Sequence, residues 1–422
     1  MSALRELRRW MLRASVALLV GAGAGAGTSS LAAGDEDRRD EVELQGGSVL
    51  RGRIVLEDPD KLVVRMEGAE REIPRAQVLV SKSVFRAQGA VLSKYAGLAT
   101  NDTASLLALA EQCRASELPH EEQLFLWLVL LVDGQNQVAH SRLGHRDRGG
   151  RWMVPQRGGA VSFEKLLEIR DSWGKAWELR SEHYSVRCDA GLAEAIGVVL
   201  ELEQFYRAFY ELYQQRLSLR EVLVPMQVEV YRDRSRFPRV STHVDSRYEP
   251  TTRLLQTYAK DGVARALFHE ATRQLLYELS GGSERALGEM PPWLGVGWGE
   301  YMEGILLRPA GRRTGVLELA PKRLQETHRA LFERTPEAKR YGLHRVLNFG
   351  VSDFEASSGQ GQKYAQCYLL FHYLMHAQGD LHQARFLSYL RIAFEGRGQA
   401  SSFRELFDSA AIERDLPSYQ GR

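Results

Sequence analysis

The longest periodic segment in the chain runs from Leu192 to Tyr213, with Leu192, Ala195, Ile196, Val199, Leu202, Tyr206, Phe209 and Tyr213 on one helical face. A helix with so continuous an apolar stripe must bury it against a second layer. Glu182 to Arg187, just before it, reads as a strand. Pro225-Met226-Gln227-Val228-Glu229-Val230-Tyr231, just after it, alternates strictly and reads as a half-buried strand. Pro225 predicts that this second strand lies at or near a sheet edge. From about Trp177 onward the expectation is therefore an α+β domain whose later part is mainly helical.

Upstream, the period changes twice. Between residues 41 and 80, short alternating runs are separated by Gly46-Gly47, Asp58-Pro59-Asp60 and Glu67-Gly68, which predicts a small antiparallel barrel or meander. From Ser105 to about Ser141 the pattern is helical, with Pro119 between two amphipathic helices. A Gly- and Arg-rich hairpin follows at Gly144–Pro155, turning at Gly149-Gly150, and then a helix around Phe163–Ala176. At roughly 150 residues per domain, 422 residues suit two or three domains. The boundaries read as 1–33, 34–85 for the barrel-like module, 86–176 for a helical and hairpin connector, and 177–420 for the last domain.

Residues 1–33 have the order of a secretory signal peptide. Arg5, Arg8, Arg9 and Arg13 precede an apolar run from Ala14 to Gly27, then come small residues to Ala33 and the charged Asp35 to Asp40. The run is short and glycine-rich for a bilayer span. The expected product is secreted or periplasmic, with no membrane span after cleavage. Cleavage would remove four arginines and one glutamate, turning a formal charge of +2 into −1. A balance so close to neutral gives no electrostatic reason to expect nucleic acid as a partner. Cys113, Cys188 and Cys367 match no zinc-ribbon or CxxC spacing. They read as buried free thiols, with one disulfide and one spare thiol as the alternative in an exported protein.

Val263 to Leu279 reads as a helix containing His269-Glu270-Ala271-Thr272-Arg273. A histidine at 273 would complete HExxH, in which two imidazoles one turn apart hold zinc and the glutamate activates its water. The guanidinium at 273 has five donors and no lone pair, so it cannot coordinate a cation. Further on stand Pro292-Trp293-Leu294-Gly295-Val296-Gly297-Trp298-Gly299-Glu300-Tyr301 and a helical run from Lys363 through Tyr364 to Leu374. Together these three segments resemble the gluzincin metallopeptidases, specifically the peptidase-MA-like group of exported bacterial proteins, over roughly residues 177–415.

The resemblance implies a zincin-like, thermolysin-type domain. It implies that His269 stands at the first zinc ligand, Glu270 at the general base and Tyr364 at an oxyanion-stabilising tyrosine. Arg273 and Val296 fall at the other two ligand positions, and neither residue type ligates a metal. The expected function is accordingly a pseudopeptidase that binds a peptide or protein or acts as an envelope scaffold, without a cofactor. The alternative is an active zinc peptidase with rearranged ligands, Glu300 supplying the displaced carboxylate one turn beyond Val296. Arg273 is expected to occupy the metal's place, paired with Glu270, Glu300 or both. In such a fold, Met226, Val228 and Val230 would belong to an edge strand that receives peptide by strand addition.

Competing constellations are weaker. His372 and His376 are also one turn apart, but no carboxylate or cysteine lies near them in sequence to complete a ligand set. No G-x-S-x-G, GxGxxG or Walker A pattern occurs. Trp293, Trp298 and Tyr301 read as core beneath the second helix in preference to a cleft lining.

Overall fold

The computed structural model describes residues 39–98, 102–238, 245–259, 265–282, 289–306, 318–319, 321–355, 358–377 and 380–421. The segment read as an export signal lies outside the described residues.

Five strands open the fold: β1 (Asp40–Leu44), β2 (Val49–Glu57), β3 (Lys61–Met66), β4 (Ala69–Pro74) and β5 (Val78–Lys82). They form an antiparallel sheet in the order β4-β3-β2-β1-β5. The turn between β3 and β4 is Glu67-Gly68 with φ of 51° and 82°, the left-handed pair that a two-residue hairpin matching strand twist requires. A register shift in β2 between Ile54 and Leu56 buries three successive side chains. Ile54 joins a core with Val42, Leu62, Val64 and Ile73, whereas Val55 and Leu56 pack with Val63 toward Leu223 of the last domain. The fifth strand was not read from sequence, because its Leu79 and Val80 are exposed and break the alternation.

The connector comprises α1 (Val84–Tyr95), α2 (Thr103–Ala115), α3 (Pro119–Val132) and α4 (Gln137–Arg142). Ser83, Asp102 and Asn136 cap three of these by accepting from Arg86, Ser105 and Ala139 N–H groups. Pro119 is the first residue of α3, where its missing N–H costs nothing. Then come β6 (Arg146–Asp147), β7 (Trp152–Gln156), β8 (Gly159–Ser162) and α5 (Phe163–Arg170).

The last domain is built on β9 (Trp177–Arg180), β10 (Tyr184–Cys188), α6 (Leu192–Leu217), β11 (Met226–Tyr231), β12 (Ser246–Glu249) and β13 (Leu254–Tyr258). The sheet order is β12-β13-β11-β10-β9. Strands β10, β11 and β13 are mutually parallel, while β9 and β12 are antiparallel edges. This corrects the edge assignment of Met226, Val228 and Val230. They lie on the central strand and are 3%, 1% and 1% exposed, so they are core and cannot receive a peptide. Pro225 misled because it precedes the first ladder pair, Tyr184 with Met226, and so removes no ladder donor.

Helices complete the domain: α7 (Arg265–Leu279), α8 (Pro292–Glu303), the pair β14 (Ile305–Leu306) and β15 (Glu318–Leu319), α9 (Pro321–His328), α10 (Leu343–Leu347), α11 (Val351–Glu355), α12 (Gln360–His376), α13 (Asp380–Phe394), α14 (Ala400–Leu406) and α15 (Ser409–Asp415). Helix α8 runs through the core, with Trp293, Trp298 and Tyr301 buried. Trp298 stacks on Phe209 of α6 at 5.7 Å between ring centroids, so the α6 stripe is covered partly by this helix. Cys113, Cys188 and Cys367 are buried free thiols. Among the described residues no helix is long and apolar enough to cross a membrane.

A buried ionic cluster joins the three parts of the chain. Arg53 of β2 donates to Glu182 Oε1 at 2.5 Å and to Glu221 Oε1 at 2.8 Å. Asp40 accepts from the N–H groups of Ile54 and Val84 at 2.7 and 2.6 Å. His183 contacts Glu203 at 2.7 Å and Glu221 at 3.1 Å, with Tyr206 stacked on its ring at 3.7 Å. Glu121 of α3 accepts from Gln88 and from the Glu182 N–H. Burial, with the charges of Glu182 and Glu203, pushes Glu121 up to about 7. Burial opposes a charged His183, but Glu203 and Glu221 outweigh it and raise the ring to about 10. Burial likewise opposes ionised Glu182, yet Arg53 and Arg39 hold it down at about 2.

Two predictions follow from this cluster. Arg53→Met removes the cation that Glu182 and Glu221 share, leaving Glu182 to Arg39 and Glu221 to His183, and should cost about 3 kcal/mol in denaturant unfolding, the low end for a broken buried pair. The raised Glu121 contributes stability that is full below pH 4.5 and lost as pH rises through about 7; the raised His183 contributes stability full below 6.5 and lost through about 10. The lowered Glu182 acts oppositely, its contribution present above 4.5 and lost only toward about 2. Urea unfolding should therefore weaken on the alkaline side, and Glu121→Gln should flatten the part of that loss between roughly pH 5 and pH 8.

Candidate functional site

Helix α7 packs against the edge strand β12 on one side and α8 on the other. Its apolar face, with Leu267, Ala271 and Leu275, is fully buried, which turns His269 inward toward α8. Two glycines let α8 come close enough to form the site. A Cβ on Gly297 would lie 2.7 Å from the Cys367 carbonyl oxygen of α12, and one on Gly299 would lie 2.8 Å from the His269 ring. The His269 ring also stacks with Tyr364, at 5.9 Å and 27°.

Three acidic side chains and two arginines surround this imidazole. His269 Nδ1 is 3.2 Å from Glu300 Oε1. Arg323, from α9, pairs with the other oxygen of Glu300 and, at 3.3 Å, with Glu303 Oε1. Its guanidinium lies 5.0 Å over the Tyr368 ring. On the strand side, Glu270 Oε2 accepts from Arg273 Nη1 at 2.9 Å and from the Tyr248 N–H of β12 at 2.8 Å.

Charge state follows from these contacts. Burial disfavours protonated His269, but its contact with Glu300 and the charges of Glu270, Glu300 and Glu303 more than compensate and raise its pKa. Burial would raise Glu300, yet His269 and Arg323 hold it below the usual carboxylate range. Glu303 is raised, with burial the largest cause. Burial also raises Tyr364.

His269, Glu270, Glu300 and Tyr364, singled out from sequence, thus meet in one place. Arg273 pairs with Glu270, one of the two partners expected for it, and not with Glu300, and its side chain is 41% exposed. The arginine on Glu300 is Arg323, which takes the carboxylate oxygen that His269 does not. Val296 is half-buried and packs against the core. Sequence reasoning missed Glu303 and Arg323. Glu303 follows Glu300 by three residues on the same helical face and was legible in principle; nothing in the spacing marks Arg323.

The zinc set of the resembling family does not fit these residues, since neither Arg273 nor Val296 has a donor atom to offer. A different set is geometrically close. One donor atom each from His269, Glu300 and Glu303 lies within 4.8 Å of the others, the one such group among the described residues. Arg323 sits on both of its carboxylates. The second imidazole pair is structural: His372 is 2.8 Å from the Tyr419 hydroxyl, His376 is 3.0 Å from the Tyr301 hydroxyl, and burial lowers His372 to about 3.

Residues 263–393, from the start of the His269 helix into α13, match a family described as a protein of unknown function, DUF1570. No curated protein matches the chain. The matched span contains His269, Glu270, Arg273, Glu300, Glu303, Arg323 and Tyr364, on α7, α8, α9 and α12.

The close approach at Gly299 yields a direct test. Gly299→Ala should push the His269 ring off Glu300 and destabilise the protein by roughly 1–3 kcal/mol, read as a fall in denaturant midpoint.

Proposed function

We propose that the last domain is a gluzincin-like peptidase domain that no longer hydrolyses peptides, and that the protein is exported and acts by binding a peptide or protein or as an envelope scaffold. The observation that carries this reading is the commitment of Glu270. A general base must be free to take a proton from a metal-bound water, whereas this carboxylate is held by Arg273 and by the backbone of β12. The fold is consistent with the reading: a mixed sheet, parallel in the middle, ends in the antiparallel edge β12, which borders the His269 helix. Strand addition along β12 would have to displace Glu270 from the Tyr248 N–H, so a peptide bound there competes with the helix for the strand edge.

Elemental analysis of purified protein, paired with a peptide-hydrolysis assay, tests this. The expected result is no stoichiometric zinc, no hydrolysis, and no change in Glu270→Gln. Stoichiometric zinc with hydrolysis lost in Glu270→Gln overturns it. The alternative, a zinc peptidase with rearranged ligands, is favoured by the proximity of His269, Glu300 and Glu303, and requires that zinc and activity both disappear in Glu300→Gln. The family placement has its own check: Arg273→His combined with Val296→Glu should create zinc binding, and a folded double variant that takes no zinc counts against it. Export is checked by comparing the fractionation of the full chain with that of a chain lacking residues 1–33; equal distribution would reject the signal-peptide reading.

A further inference from the structure

We propose that Arg323 is a built-in cation that closes a latent divalent-metal site formed by His269, Glu300 and Glu303. This rests on the reading of the domain as a pseudopeptidase and names what keeps its centre free of metal.

The donor set is the starting point. One imidazole and two carboxylates are ligands that zinc and other first-row divalent cations accept, and three protein donors are enough when water completes the shell. These three converge with one donor atom each inside 4.8 Å. Their side chains are 9%, 15% and 20% exposed, so their charge cannot be left to solvent. The guanidinium of Arg323, 17% exposed, supplies the compensation by pairing with both carboxylates at once.

Arginine suits this position for a physical reason. Its charge is permanent and spread over a planar fork, so one side chain can bridge two carboxylates that a lysine would serve as a point charge. The bridge also does a metal's mechanical work. Arg323 ties α9 to α8 through Glu300 and Glu303, and Glu300 passes the connection to α7 through His269. Removing the guanidinium leaves two facing carboxylates partly buried, and a divalent cation then becomes the favourable partner for both.

The test is zinc titration by calorimetry, together with thermal unfolding with and without zinc chloride, on the full chain. The wild-type protein is expected to show no zinc-dependent rise in Tm. Arg323→Met should melt lower than wild type without zinc, bind about one equivalent of zinc as three donors allow, and regain Tm when zinc is added. His269→Ala added to Arg323→Met should abolish both the binding and the rescue. Arg323→Lys keeps one positive charge and should remain refractory to zinc, which separates loss of charge from loss of packing. If Arg323→Met does not fold alone, Arg323→Gln refolded with and without zinc gives the same readout, recovery only with the metal. A folded Arg323→Met or Arg323→Gln that binds no more zinc than wild type overturns the proposal while leaving the pseudopeptidase reading intact. Zinc binding that survives His269→Ala also overturns it. Stoichiometric zinc in the wild type overturns the proposal, and the pseudopeptidase reading falls with it only if peptide hydrolysis is lost in Glu270→Gln.

Discussion

Two arginines each hold a pair of glutamates out of water, and the arrangement of the chain depends on them. Arg53 bridges Glu182 and Glu221 and fastens the N-terminal sheet to the last domain. Arg323 bridges Glu300 and Glu303 and fastens α9 to α8. In both cases burial would be prohibitive for the carboxylates alone, and one delocalised cation neutralises two of them. The first cluster continues through His183 and Glu203 into the middle of α6 and through Glu121 into the connector. The N-terminal sheet is therefore attached by charge as well as by the small apolar contact of Val55, Leu56 and Val63 with Leu223.

The candidate site is organised by backbone proximity before it is organised by charge. Gly297 brings α8 against α12, and Gly299 brings it against His269. With α8 that close, Glu300, the residue after Gly299, meets the imidazole at 3.2 Å, and Glu303 follows it one turn later. Every carboxylate of the site is paired with donors of the chain itself: Glu270 with Arg273 and the Tyr248 N–H, Glu300 and Glu303 with Arg323. Arg323 reaches its two carboxylates from another helix, α9.

Much of this was legible along the chain wherever the signal was local. The α6 stripe, the Glu67-Gly68 hairpin, the Pro119 helix start and the burial of Trp293 and Trp298 all follow from periodicity or turn chemistry. His269, Glu270, Glu300 and Tyr364 were singled out through the resemblance of their three segments to the gluzincin metallopeptidases, and not by spacing alone. The failures were of another kind. Whether Met226–Tyr231 lay at an edge or in the centre depends on which strands pair with it, and a proline just outside the ladder carries no information about that. Leu79 and Val80 concealed β5 because an exposed apolar pair breaks the expected alternation.

By itself the sequence determined most of the element types and the apolar stripes, because each is a property of neighbours within a few turns of helix or strand. Only the tertiary structure decided which cation meets which carboxylate. Arg273 is four residues from His269, yet it turns to Glu270 and solvent, while Arg323, fifty-four positions further on, lies on the carboxylates beside that histidine. Charge pairing in a folded core is set by which helices are brought into contact, and that depends on packing that no local pattern encodes.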